Sequence, residues 1–422
     1  MLRSHVKLAF KVLGRRPFFT AVSLVGITLT LLVLTVVAAL FDHAFARHAP
    51  EVRQDRTLLV FFLELRGDRA TSSGWPGYLL LDRYARDLPG VERMSVSTQA
   101  ESAFSYVGGD RVRSFLKRTD GDFWRIMAFD FVEGGPYTDE DVASARPVAV
   151  INAATRDRFF GKDHAVGKAV EIEGQRYQVV GVVRDVPFLR LVPFADVWVP
   201  LTVARSDAWK RNLRGGFMGV LLARSRADFP AIQSEFRARM ATVDLSGTEF
   251  KTAAAEAETV LATFARLLLR TGPSRAVAGR GAGPGGFVTK LFLVLSGLAL
   301  AFMALPALNL VNLSVSRALE RAGEIGVRRA FGASRAALVG QFVLENVILT
   351  LVGGAITLVA TEAALRALTA SALVPYADFH LNWRIFGWGL FFALAFGVLS
   401  GAWPAWRLSR LHPVEALRGG TR

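Results

Sequence analysis

The sequence predicts an α-helical membrane protein, with four transmembrane helices in a 1 + 3 arrangement and a large mixed α+β extracytoplasmic domain after the first. Three observations carry that expectation. Four long apolar runs carry almost no charge, a stretch with ordinary globular statistics separates the first run from the second, and basic residues gather at the ends of the runs. Within an overall hydrophobic content of 52%, those runs raise the mean hydropathy to +0.33.

A spanning helix needs about 20 apolar residues to cross about 30 Å of hydrocarbon. Residues 17–41 form the first such span. Residues 287–316 form the second, its uncharged part beginning at Leu291, and residues 336–361 form the third, interrupted only by Glu345. The fourth is 385–406. A cleaved signal peptide is the rival reading of the first run, because Arg15-Arg16 precedes it and Ala44-Phe45-Ala46 resembles a cleavage site. The run is far longer than the about 7–15 residues of a signal-peptide core, which favours a retained helix.

The formal net charge of +15 raises the possibility of a nucleic-acid partner, but its location argues otherwise. Residues 1–16 hold five Lys/Arg and no acid, 317–335 five Arg and two Glu, and 407–422 four Arg and one Glu. Each group abuts an apolar run, the pattern that orients membrane helices. The N-terminus, the 317–335 loop and the 407–422 tail are therefore expected in the cytoplasm, with 42–286 and a short loop at 362–384 outside. Leu2, Val6, Phe10 and Leu13 recur at helical spacing among cations, so 1–16 reads as an amphipathic helix on the inner membrane surface. There is no cysteine, which excludes disulfides, thiolate metal sites and cysteine nucleophiles.

Within the outer domain, strands are expected at 57–65, 91–97, 147–151, 170–172, 177–183 and 217–223, and helices at 78–88, 153–160 and 229–240. Asn152 stands where an N-cap belongs, and Glu173-Gly174-Gln175 reads as a hairpin turn. Residues 249–270 have amphipathic helical character, suggesting a stalk returning to the membrane. The Gly-, Pro-, Ser- and Ala-rich 271–286 reads as a flexible linker, and its literal GxGxxG at 281–286 lacks the preceding strand of a dinucleotide loop.

Three stretches resemble one family. Arg321-Ala-Gly-Glu324-Ile325-Gly326-Val327-Arg328-Arg329-Ala330-Phe-Gly332-Ala333-Ser334-Arg335 is similar to the cytoplasmic signature of FtsX-like ABC permeases. The segment from Pro404 to Arg418 resembles that family's closing segment. Residues 148–161, Val166-Gly167-Lys168 and Val179-Val180-Gly181-Val182-Val183-Arg184-Asp185 resemble the MacB-type periplasmic core domain, as do Asp122-Phe-Trp and Val132-Glu-Gly-Gly. The resemblance implies a permease in the bacterial cytoplasmic (inner) membrane, homo- or heterodimeric, energised by a separate ABC ATPase. It also implies an outer domain of two subdomains, one inserted in the other, and leaves room for a periplasmic adaptor. No GxxxxGK[ST] occurs, so no cofactor is expected on this chain; ATP and Mg would belong to the partner ATPase. Such a subunit would export or extract a peptide, lipid or hydrophobic natural product by mechanotransmission. The alternative in the same family is a transmembrane regulator of a cell-wall hydrolase, without transport.

The candidate coupling interface is Glu324, Ile325, Gly326, Val327, Arg328, Arg329, Ala330, Gly332 and Ala333. Small residues permit close approach to an ATPase, and Glu324, Arg328 and Arg329 can pair with its charges; a plain interfacial helix is the competing reading. Asn309 and Asn312 share a face of the second span with Ser316, and Gln341 and Glu345 stack in the third. A central carboxylate is costly in lipid, so Glu345 should face protein or water. Gly397 and Gly401 form a GxxxG packing motif, and Pro306 should kink its helix. Enzyme chemistry finds no support: His5, His43, His48, His164, His380 and His412 are scattered, with neither HExxH nor GxSxG.

Overall fold

The computed structural model describes residues 17–107, 109–269, 334–371, 375–376 and 379–408, with short pieces between 289 and 331. The expected helix at 1–16, the linker at 271–286, Pro306 and the tail beyond 408 lie outside the described residues, as does most of the second span. The chain divides into two compact units.

The helical unit contains most of α1 (Pro17–Phe45), together with α8 (Arg335–Ala370) and α9 (Trp383–Leu408). Among the described residues two helices are long and apolar enough to cross a membrane, Thr20–Phe45 and Val339–Ala370; Trp383–Leu399 is a shorter apolar helix. Two ends differ from expectation. The first helix runs on to Phe45, and the third expected span continues past Thr361 to Ala370, taking the start of the expected 362–384 loop into the helix. The continuation is rich in Ala and Leu, strong helix formers, and an Arg366–Glu362 pair at 2.8 Å supports the added turns.

The β-rich unit is built on a 13-stranded mixed sheet. Its elements are β1 (Thr57–Arg66), β2 (Thr71–Pro76), α2 (Tyr78–Leu80), β3 (Val91–Thr98), β4 (Glu101–Val107), β5 (Asp110–Thr119), α3 (Gly121–Ile126), β6 (Phe131–Gly134) and α4 (Asp139–Ala143). Next come β7 (Val148–Asn152), α5 (Ala153–Phe160), β8 (Ala169–Ile172), β9 (Gln175–Val183) and β10 (Val197–Pro200). The last are β11 (Arg214–Gly215), β12 (Phe217–Ala223), α6 (Phe229–Met240), β13 (Thr252–Thr259) and α7 (Val260–Leu269). A π turn at Leu81–Ala85 completes α2, so the helix expected over 78–88 is shorter and locally wider.

The strand order β11-β2-β1-β12-β3-β5-β10-β7-β9-β6 shows two halves. One is made from residues 57–98 and 214–259. The other, 101–200, is inserted between β3 and β11 in the chain. Along the sheet the halves join through a single register, Ser97 against Thr119. An apolar cluster bridges them, with Leu59, Phe61 and Val220 from one half against Phe123, Val148 and Trp198 from the other.

Local chemistry explains several elements. Asn152 caps α5, its side chain accepting from the Thr155 N–H at 2.8 Å. Asp120 caps α3 in the same way. The β8–β9 hairpin closes on Glu173 and Gly174, both with positive φ (53° and 69°), as a two-residue primed turn requires. Glu173 carries a Cβ in that strained region; hydrogen bonds of its backbone N–H and its carboxylate to the Phe104 backbone hold it there.

The helix expected over 249–270 is a correction. Only Val260–Leu269 is helical, whereas Thr252–Thr259 is a strand antiparallel to β1. Ala and Glu favour a helix by propensity, but the segment also alternates. Ala253, Ala255 and Ala257 face the apolar core while Glu256 and Glu258 lie on the other face beside arginines. Pairing along β1 overrides the weak local preference.

Candidate functional site

Three segments of the β-rich unit lie in the chain towards the apolar runs, one after α1, one before the 271–286 stretch and one between α8 and α9. Each is fastened by a polar contact to a largely buried charged side chain. The first follows α1. Arg190, 3% exposed, donates from Nη1 to Glu51 Oε2 at 3.0 Å and from Nη2 to the Ala46 carbonyl at 2.9 Å. The Ala128 N–H donates to the Pro50 carbonyl at 2.8 Å. Nearby, Lys117 is fully buried and its Nζ donates to the Val192 carbonyl at 2.6 Å. Burial lowers this ammonium to about 7, although the Glu51 charge opposes the shift.

This Lys117 shift has a checkable consequence. Above about pH 7 the folded chain releases a proton that the unfolded chain keeps up to its ordinary pKa of 10.5, so stability rises with pH across that window. The slope attributable to the group approaches about 1.4 kcal/mol per pH unit. Lys117→Met is expected to remove that rise between pH about 7.5 and about 9, measured as the wild-type-minus-variant difference in thermal unfolding. Equal slopes in both proteins would contradict the assignment.

The second segment is the exit through β13 and α7. Glu258 accepts from Arg266 Nε at 2.9 Å and also from Arg266 Nη2, a bidentate pair with residue exposures of 3% and 1%. Glu256 meets Arg237 at 3.3 Å, and Gln233 donates to the Ala257 carbonyl at 2.8 Å. Phe264 of α7 packs edge-on against Phe45, ring centres 4.8 Å apart.

The third comprises Pro375 and Tyr376, which lie between α8 and α9 in the chain and pack as part of the β-rich unit. Their anchor is Asp196, 2% exposed, immediately before β10. Asp196 Oδ1 accepts from the Tyr376 hydroxyl at 2.6 Å and from Asn152 Nδ2 at 3.1 Å, and Oδ2 accepts from the Phe115 N–H at 2.7 Å. One carboxylate thus joins β5, the cap of α5 and the α8–α9 segment. The Pro375 carbonyl accepts from the Phe188 N–H at 3.2 Å. Tyr376 sits at φ 58°, the left-handed region that costs a non-glycine residue about 1–2 kcal/mol. A strained residue held by a short hydrogen bond to a buried carboxylate marks a constrained position.

In the helical unit, polar groups and close packing join the same helices. Gln341 Nε2 donates to Glu345 Oε1 at 3.2 Å, and Glu345 is 2% exposed within the unit. Thr28 Oγ1 donates to the Gly353 carbonyl at 3.4 Å, and a Cβ at Gly353 would stand 2.8 Å from Ile27 Cγ2. A Cβ at Gly397 would stand 2.8 Å from Thr350 Oγ1, so the first glycine of the GxxxG motif allows α8 and α9 to touch.

Of the residues singled out in the sequence, the structure places Gln341 and Glu345 together and leaves Val327 exposed in helical conformation. Asn309, Asn312, Glu324, Ile325, Gly326, Arg328, Arg329, Ala330, Gly332 and Ala333 lie outside the described residues. Ser334, next to them, caps α8 by accepting from the Ala337 N–H at 3.2 Å. Sequence reasoning missed Glu51, Lys117, Arg190, Asp196, Arg266 and Tyr376. The available signal was a lone cation in an apolar run, as in Phe188-Leu189-Arg190-Leu191-Val192. Their partners are distant in sequence, so the pairings could not be read.

Comparison with known proteins assigns the class. Residues 20–239 match the family of the MacB-like periplasmic core domain, and 296–413 match the FtsX-like permease C-terminal family. Permeases of ATP-binding-cassette transporters carry these parts, and the chain belongs to the MacB/FtsX-like permease family. It is 24% identical over 335 residues to the uncharacterized ABC transporter permease YknZ of Bacillus subtilis (strain 168), covering 79% of this chain and 77% of that protein. It is 27% identical over 299 residues to the uncharacterized ABC transporter permease YvrN of the same organism, covering 71% and 68%. The macrolide export ATP-binding/permease protein MacB of Burkholderia cenocepacia (strain HI2424) is 26% identical over 339 residues, which cover 78% of this chain but 44% of that longer protein.

Proposed function

We propose that this chain is the permease subunit of an ABC transporter, acting as a dimer with a separate ATPase that binds ATP and Mg. It crosses the bacterial inner membrane four times with both termini in the cytoplasm. ATPase closure moves the 324–334 segment and the helices, and the outer domain converts that motion into export or extraction of a peptide, lipid or hydrophobic natural product. A periplasmic adaptor is a further partner that this scheme accommodates. The observation that carries the reading is the triple anchorage of the β-rich unit at Glu51–Arg190, Glu258–Arg266 and Asp196–Tyr376. The first follows α1 in the chain, the second precedes the 271–286 stretch that leads to the second expected span, and the third lies between α8 and α9. Each polar contact resists slippage because leaving a partner unpaired is costly.

Topology tests this directly. A reporter inserted after Asp120 should be active only outside the cytoplasm, and reporters after Ile325 or Arg422 only inside, as the basic segments dictate. A cytoplasmic signal from the Asp120 fusion would overturn the architecture.

A further inference from the structure

We propose that a cleft at the root of the β-rich unit binds the headgroup of an anionic bilayer lipid. The inference rests on the reading that α1 spans the membrane and delivers Phe45 to its outer surface. The cleft has a volume of about 520 Å³, within the about 300–1,000 Å³ of ligand sites. Arg47, Asp55 and Arg226 line it together with Phe45, Phe229 and Leu261. Arg47 reaches Asp55 at 3.4 Å, which balances one cation. Arg226 is exposed, and among the described residues no carboxylate or carbonyl meets its guanidinium. The lining therefore keeps one uncompensated positive charge beside aromatic and aliphatic side chains.

That combination fits a phosphate headgroup with the first segments of its chains better than a fully soluble anion. Two features place the cleft at a lipid surface. Phe45, the last residue of the apolar helix α1, forms part of its wall. Helix α7 lines it with Val260 and Leu261, and in its last turn carries Leu267 and Leu268, 42% and 59% exposed, while Ala262, Ala265 and Arg266 of the same helix are buried. Exposed leucines at the end of an otherwise well-buried amphipathic helix suit the headgroup–acyl boundary. A zwitterionic headgroup would bring its own cation towards Arg226, so the charge favours an anionic lipid such as phosphatidylglycerol.

The absence of native cysteine allows a site-specific test on the full chain. Ala227→Cys, at an exposed position adjacent to Arg226, is labelled with bimane and reconstituted in phosphatidylcholine vesicles. A minor fraction of brominated phosphatidylglycerol, or of brominated phosphatidylcholine, then serves as quencher. Phosphatidylglycerol is expected to quench with an apparent affinity about fivefold higher, the worth of one basic residue at an anionic surface. Arg226→Glu should abolish the preference, and Arg111→Glu, on a distant strand, should keep it. Equal quenching by both lipids, or a preference that survives Arg226→Glu combined with Arg47→Glu, overturns the site. If inorganic phosphate removes the preference where chloride of equal ionic strength does not, the ligand is a soluble anion and the lipid assignment falls. In whole cells an impermeant maleimide should reach the thiol of the Ala227→Cys variant from outside. Failure there overturns the topology beneath the proposal, whereas normal labelling with equal quenching overturns the lipid site alone.

Discussion

Asp196→Ala is expected to be the most damaging single substitution in the β-rich unit, lowering its stability by about 3–5 kcal/mol. The carboxylate is 2% exposed and accepts from three donors: the Phe115 N–H, Asn152 Nδ2 and the Tyr376 hydroxyl. Alanine leaves all three facing a void that they fill poorly. Each buried donor without an acceptor costs about 1–3 kcal/mol, and shared relaxation keeps the total below the simple sum. Tyr376→Phe removes one donor and leaves Asp196 two, so it should cost only about 1 kcal/mol, or about 2–4 °C in Tm. The two variants therefore separate stability from transmission. If the α8–α9 segment carries motion outward, Tyr376→Phe should fold and bind the ATPase normally while transport falls. Thermal unfolding in detergent and a transport or resistance assay read the two effects. An Asp196→Ala protein that melts within about 1 °C of wild type would show that the hub is not structural.

Disruption of the 324–334 segment is expected to produce the largest loss of partner binding. Gly332→Trp puts a large ring where backbones should approach, and Arg328→Glu with Arg329→Glu reverses the charge offered to the partner. Neither change falls within an expected span, so both variants should insert and dimerise. Loss of a central contact costs about 2 kcal/mol or more, about thirtyfold in affinity. Arg111→Glu is the matched control, since Arg111 stacks over the Phe104 ring at 3.7 Å in the β-rich unit and should not influence the ATPase. Co-purification of the ATPase with each variant decides the matter. Full binding and activity in both coupling variants would remove this segment from the mechanism.

The fold was legible where the local code was strong. The strand–helix pair at Phe217–Ala223 and Phe229–Met240, the Asn152 cap and the Glu173-Gly174 turn follow from alternation, capping and turn chemistry, each settled within a few residues. Thr252–Thr259 was not legible in this way. Its alanines and glutamates suit a helix, and only the exposed hydrogen-bonding edge of β1 makes it a strand. Glu345 shows both levels at once. Its position in an apolar run demands a protein-facing site, while the identity of the facing helices depends on how α8 packs with its neighbours.

Family membership, the apolar runs and the clustering of basic residues at their ends were determined by the sequence itself, because composition and short-range pattern suffice to state them. The buried pairs Arg190–Glu51 and Arg266–Glu258, the Asp196 hub with Tyr376, and the cleft beside Arg226 were decided only by the tertiary structure. The reason is physical. A charged or polar side chain carries no sign in the sequence of whether water or a distant partner will satisfy it. Folding removes the water, and the chain then has to bring Asp196 to Tyr376 across 180 residues of sequence to avoid the cost of an unpaired group.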